Sequence, residues 1–152
     1  MVEVTPHLVF NGQCEEAFKF YERLLGGKIV TMLTWGQSPM AEQVPADWRD
    51  KILHASLTLP GAALVGVDVL PEQYERPRGF YVLLGIDETV DAERIFDSLG
   101  ENGVVGVPMQ QTFWSVRFGV VVDRFGVPWE VSCVQVAPRD TKVATESQIT
   151  VA

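Results

Sequence analysis

The feature that most constrains this chain is an order of elements that occurs twice. Read by the period of its apolar residues, the sequence predicts strand, helix, strand, strand, strand. The same series then begins again about seventy residues later. In the first series His7–Phe10 is a short extended run ended by Asn11-Gly12. From Cys14 to Leu25 the apolar positions Ala17, Phe18, Tyr21, Leu24 and Leu25 recur at helical steps, so one face of a helix is buried. Gly26-Gly27 offers a left-handed stop. The β-branched run in Lys28–Trp35 predicts a strand, and Gly36–Lys51, with Pro39, Pro45 and an isolated Trp48, a long loop. Ile52–Leu59 and Ala62–Leu70 form a hairpin about Pro60-Gly61.

Residues 71–78, PEQYERPR, read as a linker between modules 5–70 and 79–136 of a single domain, 1–136. The second series has a strand at Gly79–Ile86, then a helix capped by Thr89 or Asp91 and ended at Gly103, with Ala92, Ile95, Phe96 and Leu99 on its apolar face. Val104–Val107 is a short strand and Pro108–Ser115 a loop. A second hairpin, Val116–Val122 and Val127–Val134, turns at Asp123-Arg124-Phe125-Gly126, where Asp can bond a backbone N–H and Gly can take a left-handed conformation. Pro128 fits only at the beginning of a strand, where no ladder donor is needed. The class is α+β. Residues 137–152, rich in Thr, Ser, Gln, Glu and Lys, read as a polar tail, weakly ordered or laid across a partner.

Glu130 is the residue in this pattern that asks for an explanation. It is a charge among apolar neighbours in a strand, costly wherever covered unless paired or metal-bound. Trp129 beside it points the other way, so with Glu130 facing a cleft Trp129 belongs to the core with Val127 and Val131. A plainer role for Glu130 is accepting hydrogen bonds from Arg117 or Arg124. Phe113, Trp114, Phe118 and Tyr81 supply the apolar lining usual in a small-molecule site, and Trp35 and Trp48 flank the long loop, as a lid or as plain packing.

Charge and cysteine usage narrow the function classes. Twelve basic and twenty acidic residues in 152 give a formal charge of -8, which argues against a polyanionic partner such as nucleic acid. Cys14 and Cys133 have no CxxC spacing, so a reduced, cytoplasmic protein is expected. The N-terminus lacks a basic flank and a long apolar run, and no stretch is long enough to span a membrane. No Gly-rich turn follows a strand, so neither a nucleotide nor an S-adenosylmethionine site is expected.

Two motifs, HLVFNGQCEEAFKFYERLLGG and FWSVRFGVVVDRFGVPWEVSC, resemble the PhnB-like branch of the vicinal oxygen chelate superfamily, which includes glyoxalase, bleomycin-resistance and dioxygenase proteins. The branch is often labelled 3-demethylubiquinone 3-methyltransferase-like. The resemblance covers residues from about 5 to 136. It implies two βαβββ modules whose curved mixed sheets surround a cleft, a homodimer, and one divalent metal ion (zinc, nickel, manganese or iron) held by side chains from the first and last strand of each module. His7 and Glu130 match two of those ligand positions. Asp68 in the last strand of the first module fits only if it faces inward, and the Gly79-Phe80-Tyr81-Val82 region offers Tyr81, a poor ligand at neutral pH. His54 opens an alternating strand and is more simply a surface histidine than a ligand.

The residues leave three functions open. A metal-dependent lyase, isomerase or transferase would use His7, Glu130 and a third oxygen ligand, with Glu130 also moving a proton. A metal-free binding protein of bleomycin-resistance type would hold a small molecule among Phe80, Tyr81, Phe113, Trp114, Phe118, Trp35, Asp68 and His54. A dimeric protein without a ligand is the third, and whether the chain is an enzyme stays open.

Overall fold

The structure, a computed structural model, describes residues 1–134; the polar tail expected over 137–152 lies outside the described residues. The chain divides into two compact units, and each repeats the predicted series.

The first unit comprises Met1–Phe80 with Arg124–Val127. It contains β1 (His7–Phe10), α1 (Cys14–Leu25), β2 (Lys28–Thr34), β3 (Ile52–Leu59) and β4 (Ala62–Asp68). The sheet order is β1-β4-β3-β2, with β1 parallel to β4 and the other pairs antiparallel. Period-2 alternation sends Leu8, Phe10, Ala55, Leu57 and Leu64 to the α1 side, where they are buried with Ala17, Phe18, Tyr21 and Leu24 of the helix. Helix and sheet approach closely over Gly66, where a β-carbon would sit 2.5 Å from Phe18 Cε1. The long loop after β2 is closed at its base, Trp35 N–H donating to the Lys51 carbonyl and Gly36 N–H to that of Arg49, each at 2.8 Å. It contains two short 3₁₀ turns, Ala41–Gln43 and Ala46–Trp48.

Phe125 belongs to this unit as well, its ring 6.0 Å from Phe20 and 6.2 Å from Tyr21 of α1. The Arg124 guanidinium lies 4.4 Å from the rings of both Phe20 and Phe125.

The second unit comprises Tyr81–Asp123 and the strand that starts at Pro128. It contains β5 (Val82–Gly85), α2 (Thr89–Gly100), β6 (Val104–Gln110), β7 (Arg117–Val122) and β8 (Pro128–Cys133), in the sheet order β5-β8-β7-β6, with β5 parallel to β8. The topology copies that of the first unit. Here α2 packs Phe96 over Gly119, where a β-carbon would meet Phe96 Cε2 at 2.6 Å.

Several local expectations differ from the outcome: α2 ends at Gly100 rather than running to Gly103, and β4 ends at Asp68 rather than Leu70. β5 is shorter than Gly79–Ile86, because Gly79 takes φ of 83° and breaks the extended run. β6 is longer than Val104–Val107 and runs through Pro108, which a bulged edge strand tolerates because its outer N–H row needs no partner. Neither Thr89 nor Asp91 caps α2. Thr89 is already helical, Glu88 stands at the cap position without a side-chain bond, and Asp91 pairs with Arg94 at 3.5 Å.

Candidate functional site

Each sheet has one face under its own helix and an opposite, open face on which side chains from alternate residues stand. In the first unit β1 places His7 there, exposed, while its neighbours Leu8 and Phe10 go into the core. Strand register fixes what stands beside it. His7 is opposite Val65 of β4, Val65 opposite Ser56 of β3, and Ser56 opposite Thr31 of β2. The position on β4 that could give His7 a second donor is therefore aliphatic. His54 is exposed on the same face, but β4 lies between its strand and β1, so the two imidazoles are separated by about 10 Å laterally, too far to share an ion.

Asp68 is not on that face. It is 1% exposed on the helix side of β4, and its carboxylate is used by the backbone. Oδ1 accepts from Gly12 N–H at 2.9 Å and Cys14 N–H at 3.0 Å, and Oδ2 from Ile52 N–H at 2.8 Å. The expected ligand residue is thus the cap of α1, which has no side-chain cap of its own. Burial raises its pKa above the ordinary 3.8, against the opposing pull of those three N–H groups and of Lys51. Its backbone oxygen accepts the Trp35 indole N–H at 2.9 Å, which places Trp35 in the scaffold rather than in a pocket lid. Trp48 packs its ring edge against Gly12. Burial, followed by the charge of Asp68, pushes the Cys14 thiol far up, so it is no nucleophile.

In the second unit β8 sends Trp129, Val131 and Cys133 into the core and leaves Glu130 half-buried on the open face. Trp129 donates its indole N–H to Asp123 Oδ2 at 2.9 Å, so the turn aspartate anchors the core tryptophan. Glu130 is opposite Leu83 of β5 on one side and Val120 of β7 on the other, and Val120 is opposite Val107 of β6. The β5 residue in register with Glu130 is therefore Leu83, 60% exposed, rather than Tyr81. Phe80 and Tyr81 precede β5, each 50% exposed.

The plainer role expected for Glu130, pairing with an arginine, is not realised. Arg117 Nε pairs with Glu93 at 2.9 Å, and Arg124 reaches Glu16 at 4.0 Å. Among the described residues Glu130 has no ion pair.

Phe118 lies on the same open face, opposite Ser132 and Gln110. Trp114 makes an edge contact with it, ring centres 5.4 Å apart, and Phe113 packs on Trp114 at 4.7 Å. The loop that carries these two rings is pinned at its end by Ser115. That hydroxyl donates to the Arg117 carbonyl at 2.6 Å and accepts from the Ser132 hydroxyl at 3.0 Å. The expected aromatic group of Phe113, Trp114 and Phe118 is thus assembled within one unit, with Phe113 and Trp114 largely exposed.

The donor set does not complete a metal shell. Among the described residues no three His, Cys, Asp or Glu side chains cluster, and the residues in register with His7 and Glu130 are Val65 and Leu83. Catalytic zinc is held by three protein ligands as a rule. The missing donors were legible only through strand register, which Val65 and Leu83 give no sign of by themselves.

Among the described residues no helix is long and apolar enough to cross a membrane. A model of the family described as 3-demethylubiquinone-9 3-methyltransferase matches residues 2–132. Protein YjdN of Escherichia coli strain K12 is 32% identical over 143 residues, covering 89% of this chain and 97% of that protein. Among solved structures, protein PA1353 of Pseudomonas aeruginosa is 44% identical with a TM-score of 0.81, covering 90% of this chain and all of that one (100%). A PhnB protein of Bacillus cereus, 21% identical, has a TM-score of 0.75 over 88% of this chain and 100% of its own. A glyoxylase/bleomycin resistance protein/dioxygenase domain from Frankia, 13% identical, shares the fold at a TM-score of 0.56 over 89% of this chain and 97% of its own. With its doubled module, the match along nearly the whole described chain and these neighbours, the protein belongs to the PhnB-like family described as 3-demethylubiquinone-9 3-methyltransferase, on the glyoxalase/bleomycin-resistance fold.

Proposed function

We propose that this chain is a small-molecule-binding protein that holds its ligand against an open sheet face, without a catalytic metal held by its own side chains. The observation that carries this reading is the register that sets Val65 beside His7 and Leu83 beside Glu130. Each sheet then contributes one donor where a chelating site needs more. Exposed Leu83, Phe113 and Trp114 supply apolar area for a ligand. The same exposed area supports a homodimer as the working form, and the two unpaired cysteines support a reducing, cytoplasmic setting.

Calorimetric titration of the metal-stripped protein with nickel, zinc, manganese and iron(II) tests the reading. Binding no tighter than about 10 µM for all four ions is expected. Near-stoichiometric, tight binding that is lost in both His7→Ala and Glu130→Ala would overturn it and place the protein with the chelating lyases and isomerases. Sedimentation equilibrium checks the dimer.

A further inference from the structure

We propose that the open face of the second sheet is a subsite for an organic ammonium ion bearing an apolar group, with Glu130 as its counter-charge and the Phe118–Trp114 pair as its aromatic wall. The inference rests on the binding function proposed above and names the class of ligand.

Charge is the first argument. Glu130 is flanked in register by Leu83 and Val120, so a ligand that covers this face strips water from a carboxylate with no polar neighbour on either adjacent strand. Positive charge on the ligand best offsets that cost. Among the described residues the unit's own cations do not serve, since Arg94 on α2 pairs with Asp91, and Arg117 sits with the alternate set of β7 residues that faces α2 and pairs with Glu93. A neutral ligand without a hydrogen-bond donor, or an anionic one, would leave the carboxylate uncompensated. The formal charge of -8 favours the approach of cations as well.

Geometry is the second argument. Phe118 is opposite Ser132, two residues along β8 from Glu130, so Phe118 and Glu130 are diagonal neighbours on one face with β-carbons about 7 Å apart. That span suits a substituted ammonium group lying between a carboxylate and a ring. Trp114 meets Phe118 at an interplanar angle of 68° and is 46% exposed. Two rings set at such an angle present a corner of negative quadrupole to the same volume, the arrangement that attracts alkylammonium groups. Ser132, the one hydroxyl of that row on β8, is buried and donates to Ser115, so it is not offered to a ligand. Ser132 thus adds no hydrogen bond to a ligand beside Glu130, where charge and ring faces set the selectivity.

The test uses the full chain and three matched probes at low salt: benzyltrimethylammonium, benzyl alcohol and benzenesulfonate, each titrated by calorimetry. Benzyltrimethylammonium is expected to bind about tenfold or more tighter than benzyl alcohol, with benzenesulfonate weakest. Glu130→Gln, which keeps the side-chain shape, should remove most of that preference and leave benzyl alcohol affinity and the thermal midpoint unchanged. Trp114→Leu should weaken the cation more than the alcohol. Equal affinity for cation and alcohol, an unchanged preference in Glu130→Gln, or no binding of the cation would each overturn the inference. Equal affinities would do so while leaving the binding function intact, whereas tight metal capture by His7 and Glu130 would overturn that function itself.

Discussion

Replacing Asp68 with alanine removes an acceptor from three backbone N–H groups at once. Cys14 N–H and Ile52 N–H are buried at that point, while Gly12 N–H is partly accessible and can turn to water. Each buried donor left without a partner costs about 1–3 kcal/mol, so the two sum to about 2–6 kcal/mol. Relief of the buried carboxylate's desolvation offsets part of this, and a net loss of about 2–4 kcal/mol is expected, a large share of the 5–15 kcal/mol typical of a domain. Asparagine keeps one oxygen, which can still serve two donors, but turns an amide N–H₂ toward a third, so Asp68→Asn should cost about 1–3 kcal/mol. Urea unfolding followed by circular dichroism measures both, with an unchanged denaturant slope. An alanine variant within about 0.5 kcal/mol of the parent would refute the reasoning, since surface-like tolerance is incompatible with orphaned buried donors. The same residue predicts a pH dependence. Its pKa is raised on folding above 3.8, so the folded state holds the proton more tightly than the unfolded chain. That contribution to stability is complete below the unfolded value and is lost as pH rises through the raised one. The stability advantage of the parent over Asp68→Asn should therefore narrow as pH rises through that window. An advantage that widens instead would show that the three N–H groups and Lys51 outweigh desolvation.

Two substitutions separate packing from surface charge. Gly66→Ala places a β-carbon 2.5 Å from Phe18 Cε1 and 3.0 Å from Cys14 Sγ, and the overpacking should cost about 1–3 kcal/mol in the same urea assay. Glu93→Gln breaks the ion pair with Arg117, whose partners are 43% and 42% exposed. Solvent screening leaves such a pair about 0–1 kcal/mol, so its unfolding midpoint should hardly move.

Local signals in the sequence were enough for the elements and their repetition. The helix Cys14–Leu25 has the predicted bounds because its apolar steps and the Gly26 stop, with φ of 72°, are both written in adjacent residues. Trp129 is in the core and Glu130 is not, as alternation along one strand requires. Register between strands is a different kind of information, set by which faces pack and where bulges fall, and no single strand carries it. That is why Leu83, not Tyr81, stands beside Glu130, and Val65 beside His7. Nor did sequence reveal that Asp68 would be drawn to the end of α1. The helix start and the aspartate are 54 residues apart in sequence, and only the pairing of β1 with β4 brings the carboxylate to the orphaned N–H groups that decide its role.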